Sequence, residues 1–354
     1  MRRVLLKNVQ YNMKLARTIY SDEGGILLSK GVTLKKEYIK RLDALGISDI
    51  YIQDEFSHDI EVNDVIHEQI RNETKLLIKQ IMHNYKVGIE LNASSVKKVV
   101  NTILDELLGT KDILVNLIDI KTVDDYTFAH SVNVCVLSII TGINIGLNQL
   151  KLRDLGVGAL LHDVGKTLIP QEILKKPSKL DNDEFEQIKK HTILGYELLK
   201  KNANISSTSA YIALAHHERF NGSGYPLSIA GEKIHLFARI VAIADVYDAL
   251  TSDRVYRKKV SVHEVIEYIN GLGTQHFDSV VVEYFIQNIA SYPVGTGVLL
   301  SNGYKGIVVE VSRNLPKRPI IRIVYDQEDN KVEKHEIIDL KKVLNITIKD
   351  TCEI

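Results

Sequence analysis

The hydrophobic period of this chain changes twice along its length, and no other feature limits its possible folds so strongly. From residue 64 to about 290, apolar residues recur at three- and four-residue intervals, the spacing of helices with a buried face. Stretches 65–82, 95–108, 124–145, 147–161, 181–200, 207–217, 236–250, 262–269 and 280–289 are expected to be helical. The stretch 124–145 is apolar nearly all round after His130, which marks a helix buried inside a bundle. After Pro293 the period falls to two. Residues 297–300, 307–311, 320–324 and 332–337 read as strands, with turns at Ser301-Asn302-Gly303 and Asp329-Asn330. Before residue 57 strand and helix signals alternate: strands over 15–20, 26–28 and 47–52, and a helix over 33–45 stopped by Gly46.

The expected fold class is therefore mainly α, a helical bundle core with a small module at each end. Residues 1–57 form an α+β module, with the acidic stretch 54–63 read as a linker. Residues 58–119 lead into the core, 120–291 form the helical domain, and 292–354 a small β module, SH3-like and barrel-like.

Charge and cysteine usage exclude several functions. Lysine plus arginine number 45 and so do aspartate plus glutamate, leaving no basic field for a nucleic acid polymer. Cys135 and Cys352 form no paired motif, which fits a reducing cytoplasm. The apolar stretch 132–147 contains Asn133 and Asn144 and is shorter than a membrane span, so no insertion into a membrane is expected.

Chemistry-bearing residues are confined to the helical part. His130, the pair His162-Asp163, His191, the pair His216-His217 and Asp245 supply imidazoles and carboxylates, the ligands of catalytic divalent metals. Each adjacent pair ends an apolar helical stretch and is followed by a glycine and a cation. Asp245 lies in an apolar run, where a carboxylate must be paired or metal-bound. Together these residues point to a two-metal hydrolase of a phosphate ester.

The order H-x-x-N, H-D-x-G-K, H-T, H-H-E-R-x-N-G-x-G-Y-P and D-x-x-D-A-L-T-S-x-R-x-Y-R resembles the HD-GYP group of the HD phosphohydrolases, over roughly residues 120–290. The resemblance implies an all-helical HD-type bundle and a phosphodiesterase that hydrolyses cyclic di-GMP to pGpG, GMP or both, by attack of a metal-bridging hydroxide. It implies one ion on His130, His162, Asp163 and Asp245, and a second on Asp163, His191, His216 and His217, with Asp163 bridging. Some family members hold a third ion with a glutamate where this chain has Tyr126, so two ions are expected. Nitrogen and oxygen ligands without thiolate favour iron or manganese.

Beyond the metals, Lys166 is expected to contact the scissile phosphate, and Arg254 and Arg257 to clamp phosphates with bidentate guanidinium contacts. Tyr225 and Pro226 lie in a glycine-rich loop that could approach a nucleotide, with Arg219 orienting that loop or a partner domain. Asp248 is assigned to the substrate side, or to holding a ligand histidine or Lys166. Arg318 and Arg322 match half of a PilZ-type cyclic di-GMP motif whose companion element is missing, which marks a chance match. Cyclic di-GMP is the expected partner, and the long helices before residue 120 could pair two copies into a homodimer. Two other readings stay open: a receptor or scaffold that keeps the fold, and a phosphodiesterase for another cyclic dinucleotide such as cyclic GMP-AMP.

Overall fold

The N-terminal module runs β1 (Arg2–Leu5), β2 (Lys14–Leu15), β3 (Ile19–Tyr20), β4 (Ile26–Leu28), α1 (Lys36–Ala44) and β5 (Asp49–Gln53). This is a computed structural model, and it describes every residue except 22, 63, 111–113, 116–125, 175, 177, 253–258, 273–274 and 333–335. β5 is the central strand of an antiparallel sheet of order β1-β5-β2. The strand expected over 15–20 is divided, because Lys14–Leu15 pairs with β5 and Ile19–Tyr20 with β4. Leu15, Leu34, Leu42, Ile50 and Ile52 give the module its own core.

The bundle follows as α2 (Glu68–Lys86), α3 (Ala93–Gly109), α4 (Tyr126–Ile145), α5 (Gln149–Leu161), α6 (Gln171–Leu174), α7 (Asn182–Lys200), α8 (Ser207–Ala215), α9 (Leu236–Thr251), α10 (Val262–Leu272) and α11 (Ser279–Ile286). Side-chain caps set several starts. Asn148 accepts from the Lys151 N–H, Ser206 from Ser209, and Asp181 with Glu184 forms a reciprocal capping box. α4 is the central helix, packed against α2, α5, α9 and α11. Its Thr127–Ile145 stretch is in fact long and apolar enough to cross a membrane, but most of it is buried inside the bundle. Val132, Cys135, Val136, Ile139 and Ile140 all lie in the main core.

The C-terminal module departs from the barrel expectation. β6 (Gly297–Leu300), β7 (Lys305–Glu310), β8 (Ile320–Tyr325), β9 (Ile337–Asp339) and β10 (Ile348–Thr351) form an antiparallel sheet of order β10-β6-β7-β8-β9. Among the described residues its two edge strands do not pair, so the sheet is open. Closure would require paired edges, and an open sheet must cover both faces another way. Val308, Ile321 and Ile323 point to one core, while Ile307 and Val324, one residue out of phase, pack against Phe56 and Ile60.

The stretch 54–63 is consequently no free linker. Arg322 donates to the Phe56 carbonyl at 2.9 Å and holds Asp59 through both carboxylate oxygens at 2.6 Å. Arg2 completes the junction, reaching Asp54 at 2.6 Å and the Ile354 carbonyl at 2.5 Å. Charged residues of a stretch read as a linker turn out to join the two end modules.

Candidate metal centre

Five helices deliver the chemistry-bearing side chains to one place. His130 projects from α4, and His162-Asp163 lie where α5 stops and a 3-10 turn, Val164–Leu168, begins. His191 is on α7, His216-His217 follow the last residue of α8, and Asp245 and Asp248 are on α9. Gly165 explains how the turn can approach α7. A Cβ there would lie 1.9 Å from the His191 carbonyl oxygen and 2.5 Å from the Gly195 nitrogen, so only hydrogen fits.

Two groups of ligand atoms result, each with its members within 4.8 Å of one another: Asp163, His191, His216 and His217, and beside them His130, His162 and Asp245. Asp163 faces both, with one carboxylate oxygen 3.4 Å from His191 Nε2 and the other 3.4 Å from His162 Nε2. The backbone presets the imidazoles. Nδ1 of His162 lies 2.7 Å from the Ala159 carbonyl, that of His191 2.6 Å from Ile188, and that of His216 3.1 Å from both Ile212 and Ala213. In His130 the Nδ1 partner is the Asp248 carboxylate at 2.8 Å. With Nδ1 donating, the Nε2 atoms of His162, His191 and His216 turn their lone pairs toward the centre, the arrangement that orients metal-bound histidines, and His130 Nε2 points the same way, 3.1 Å from Asp245.

The donor set fits divalent cations. His162 Nε2 and one Asp163 oxygen are fully buried with no hydrogen-bond partner among the described residues. Native interiors rarely leave such atoms unsatisfied without a ligand to account for them. Burial pushes the His162 and His217 pKa values down and that of His191 to about 3, keeping these imidazoles neutral and able to donate electron pairs. Burial opposes ionisation of Asp163, but Lys166 and the surrounding histidines outweigh it and hold the carboxyl well below its usual range. Asp245 is likewise held low against burial, chiefly by its hydrogen bond with His130, 3.1 Å away.

Lys166 lies beside the centre, its ammonium 2.5 Å from Asp163 Oδ2. Tyr225 forms a wall, its ring 4.8 Å from that of His217, and it is joined to Pro226 by a cis peptide. Asp248 serves His130 and Asn133, which places it behind the histidine. Arg219 is exposed and points to His276 at 3.4 Å. The loop is held by its neighbour Glu218, a buried carboxylate that accepts from the Leu227 N–H at 2.6 Å and the Ile229 N–H at 3.3 Å. Gly224 lets the loop fold onto that residue, since a Cβ would lie 2.3 Å from the Arg219 nitrogen. Arg254 and Arg257 lie outside the described residues. The two arginines of the half-motif have structural partners: Arg318 binds the carbonyls of Leu340, Val343 and Ile346, and Arg322 the stretch around Asp59.

Sequence reading missed two further groups. Arg71 of α2 reaches Asn133 from outside the motif-bearing stretch, and no local signal marks it. Phe185 and Lys189 of α7 flank Tyr225, with Lys189 Nζ 5.5 Å from the tyrosine ring centre. Their spacing of four on one helix face was the available signal.

Residues 122–281 match the family model described as HD domain, and residues 297–354 the one described as KOW domain associated with HD domain. The chain is 34% identical over 269 residues to a cyclic di-GMP phosphodiesterase of Pseudomonas aeruginosa, covering 75% of this chain and 64% of that protein. It is 42% identical over 147 residues to the cyclic di-GMP phosphodiesterase response regulator RpfG of Xanthomonas campestris pv. campestris, covering 41% and 39%. It is also 35% identical over 190 residues to 3'3'-cGAMP-specific phosphodiesterase 1 of Vibrio cholerae, covering 53% and 43%. The chain spans less than two thirds of the length of each of these relatives.

Proposed function

We propose that this chain is a metal-dependent phosphodiesterase of the HD-GYP group of HD-domain proteins, one that hydrolyses cyclic di-GMP to pGpG, GMP or both. The observation that carries the reading is the pair of ligand groups facing the two oxygens of Asp163. One ion would take His130, His162, Asp163 and Asp245, the other Asp163, His191, His216 and His217. Bound divalent cations, iron or manganese in this reading, supply acidified water and charge neutralisation on phosphoryl oxygens.

The chain's own groups do the rest. Neutral imidazoles with fixed Nε2 atoms hold the centre rigid, so no ligand must reorganise during reaction. The Lys166 ammonium, partly exposed beside Asp163, is placed to meet a phosphoryl oxygen, a charge-assisted contact. The Glu218 carboxylate fixes the loop, so that Tyr225 and Pro226 line one side of the substrate space. A cytoplasmic location and a homodimer belong to the same proposal, the second supported by exposed Leu76, Val87, Ile89 and Leu108 on and beside α2 and α3.

The test is metal analysis of anaerobically purified full chain, together with turnover of cyclic di-GMP and 3'3'-cGAMP under iron and manganese. Two ions per chain and release of linear pGpG or GMP are expected. Faster turnover of 3'3'-cGAMP would move the substrate to the class of the Vibrio cholerae relative. A metal-loaded chain that binds a cyclic dinucleotide and cleaves none would favour a receptor.

A further inference from the structure

The metal ligand His130 is the end of a buried hydrogen-bonded chain that begins outside the matched HD-domain residues, which run from 122 to 281. Arg71, in the first turn of α2, donates from Nη1 to Asn133 Oδ1 at 2.6 Å. Asn133 donates from Nδ2 to Asp248 Oδ1, also at 2.6 Å. The other oxygen of Asp248 lies 2.8 Å from His130 Nδ1, and His130 Nε2 faces the centre, 3.1 Å from Asp245. All four of these residues are buried.

The chemistry of each link allows one direction only. A guanidinium has donors and no acceptor, and an ionised carboxylate has acceptors and no donor. Asn133, between them, must turn its oxygen to Arg71 and its amide nitrogen to Asp248. That same arrangement makes Asp248 accept from His130 Nδ1 and leaves Nε2 as the only ring nitrogen able to bind a cation. Arg71 therefore sets the orientation of Asn133, and through it the carboxylate that aims His130. α2 is well placed for this, since it packs against both α4 and the 3-10 turn that carries Lys166.

We propose that Arg71 is a positioning residue of the metal centre, supplied by α2, and that it tunes the ion held by His130, His162 and Asp245 rather than the ion at His191, His216 and His217. The inference rests on the two-ion reading above but not on which phosphodiester is cleaved. Losing a partner behind a metal-bound histidine characteristically lowers metal affinity about 10- to 100-fold. His191 and His216 take their Nδ1 partners from α7 and α8 backbone, so their ion should be spared.

The experiment uses the full chain, with manganese affinities measured for both ions by chelator competition in wild type, Arg71→Met, Arg71→Lys and Asn133→Leu. Arg71→Met is expected to weaken one ion about 10- to 100-fold and leave the other within about twofold. Arg71→Lys keeps the charge and should recover part of that loss. If Arg71→Met does not fold by circular dichroism, Arg71→Lys and Asn133→Leu decide, Asn133→Leu being expected to show the one-ion loss in full and Arg71→Lys a smaller loss of the same ion. In a folded Arg71→Met, combining it with Asn133→Leu should add little, because both break one chain. Two unchanged ions in folded variants, or equal weakening of both, would overturn the proposal. Wild type that holds two ions without cleaving any cyclic dinucleotide would defeat the phosphodiesterase reading alone.

Discussion

Replacing Gly165 by alanine tests whether the close approach of the 3-10 turn to α7 is what builds the centre. The new Cβ would lie 1.9 Å from the His191 carbonyl oxygen, 2.5 Å from the Gly195 nitrogen and 2.9 Å from the Gly195 Cα. All three neighbours are backbone atoms, so no flexible side chain can yield, and the turn must retreat from α7 by about 1 Å. Asp163 and Lys166 flank Gly165 and move with it. Overpacking of this kind costs about 1–3 kcal/mol of stability. The effect on the centre is sharper, because metal–ligand distances tolerate only about 0.2 Å. Misplacement of about 1 Å costs on the order of a hundredfold in rate, close to 3 kcal/mol of activation free energy.

The assay compares wild type, Gly165→Ala and a control, Gly109→Ala, where a Cβ would meet nothing within 4 Å. Metal content, thermal midpoint and turnover of cyclic di-GMP are measured together. The control should match wild type in all three. The Gly165 variant should still melt cooperatively, at a lower temperature, while losing the ion shared between Asp163 and His191 and falling about a hundredfold or more in turnover. A folded Gly165→Ala protein with two ions and turnover within about twofold of wild type would refute the steric argument.

Other outcomes follow from the same geometry. Asp163→Ala should remove both ions together, whereas His191→Ala should mainly weaken one; metal analysis showing the same single loss in both would contradict the shared carboxylate. Glu218→Ala leaves the part-buried hydrogen bonds of the Leu227 and Ile229 N–H groups without their acceptor, so the loop loosens and KM should rise while metal content holds. Steady-state kinetics with an unchanged KM would remove Glu218 from the loop's support. Burial would raise the Asp49 pKa, but Arg3 and Lys259 outweigh it and leave the carboxyl well below its usual range. Its folded pKa being the lower one, Asp49 adds stability fully above about pH 4 to 5 and loses it as pH falls toward the folded value. Melting from pH 7 to pH 3 should show a shallower acid decline in Asp49→Asn than in wild type, and parallel curves would exclude this linkage.

Local pattern was enough for most of what lies within one helix or one motif. The three- and four-residue period placed the bundle helices, because burying one helix face demands that spacing wherever the helix sits. The paired ligands His162-Asp163 and His216-His217 were legible because adjacency at a helix end is itself a sequence feature. What tertiary structure alone decided are the relations between distant segments. Asp163 faces two groups of ligands only because Gly165 meets Gly195 across two elements, and Arg71 reaches Asn133 across 62 positions. The acidic stretch 54–63 read as a linker because its composition carries no record of Arg322, a partner far along the chain. The C-terminal strands alternated as a closed barrel would, yet alternation specifies only that two faces differ; that the second face lies against Phe56 and Ile60, and the edges stay open, follows from packing between modules. Periodicity is a property of one segment and its solvent, whereas closure, bridging and docking depend on which segments meet.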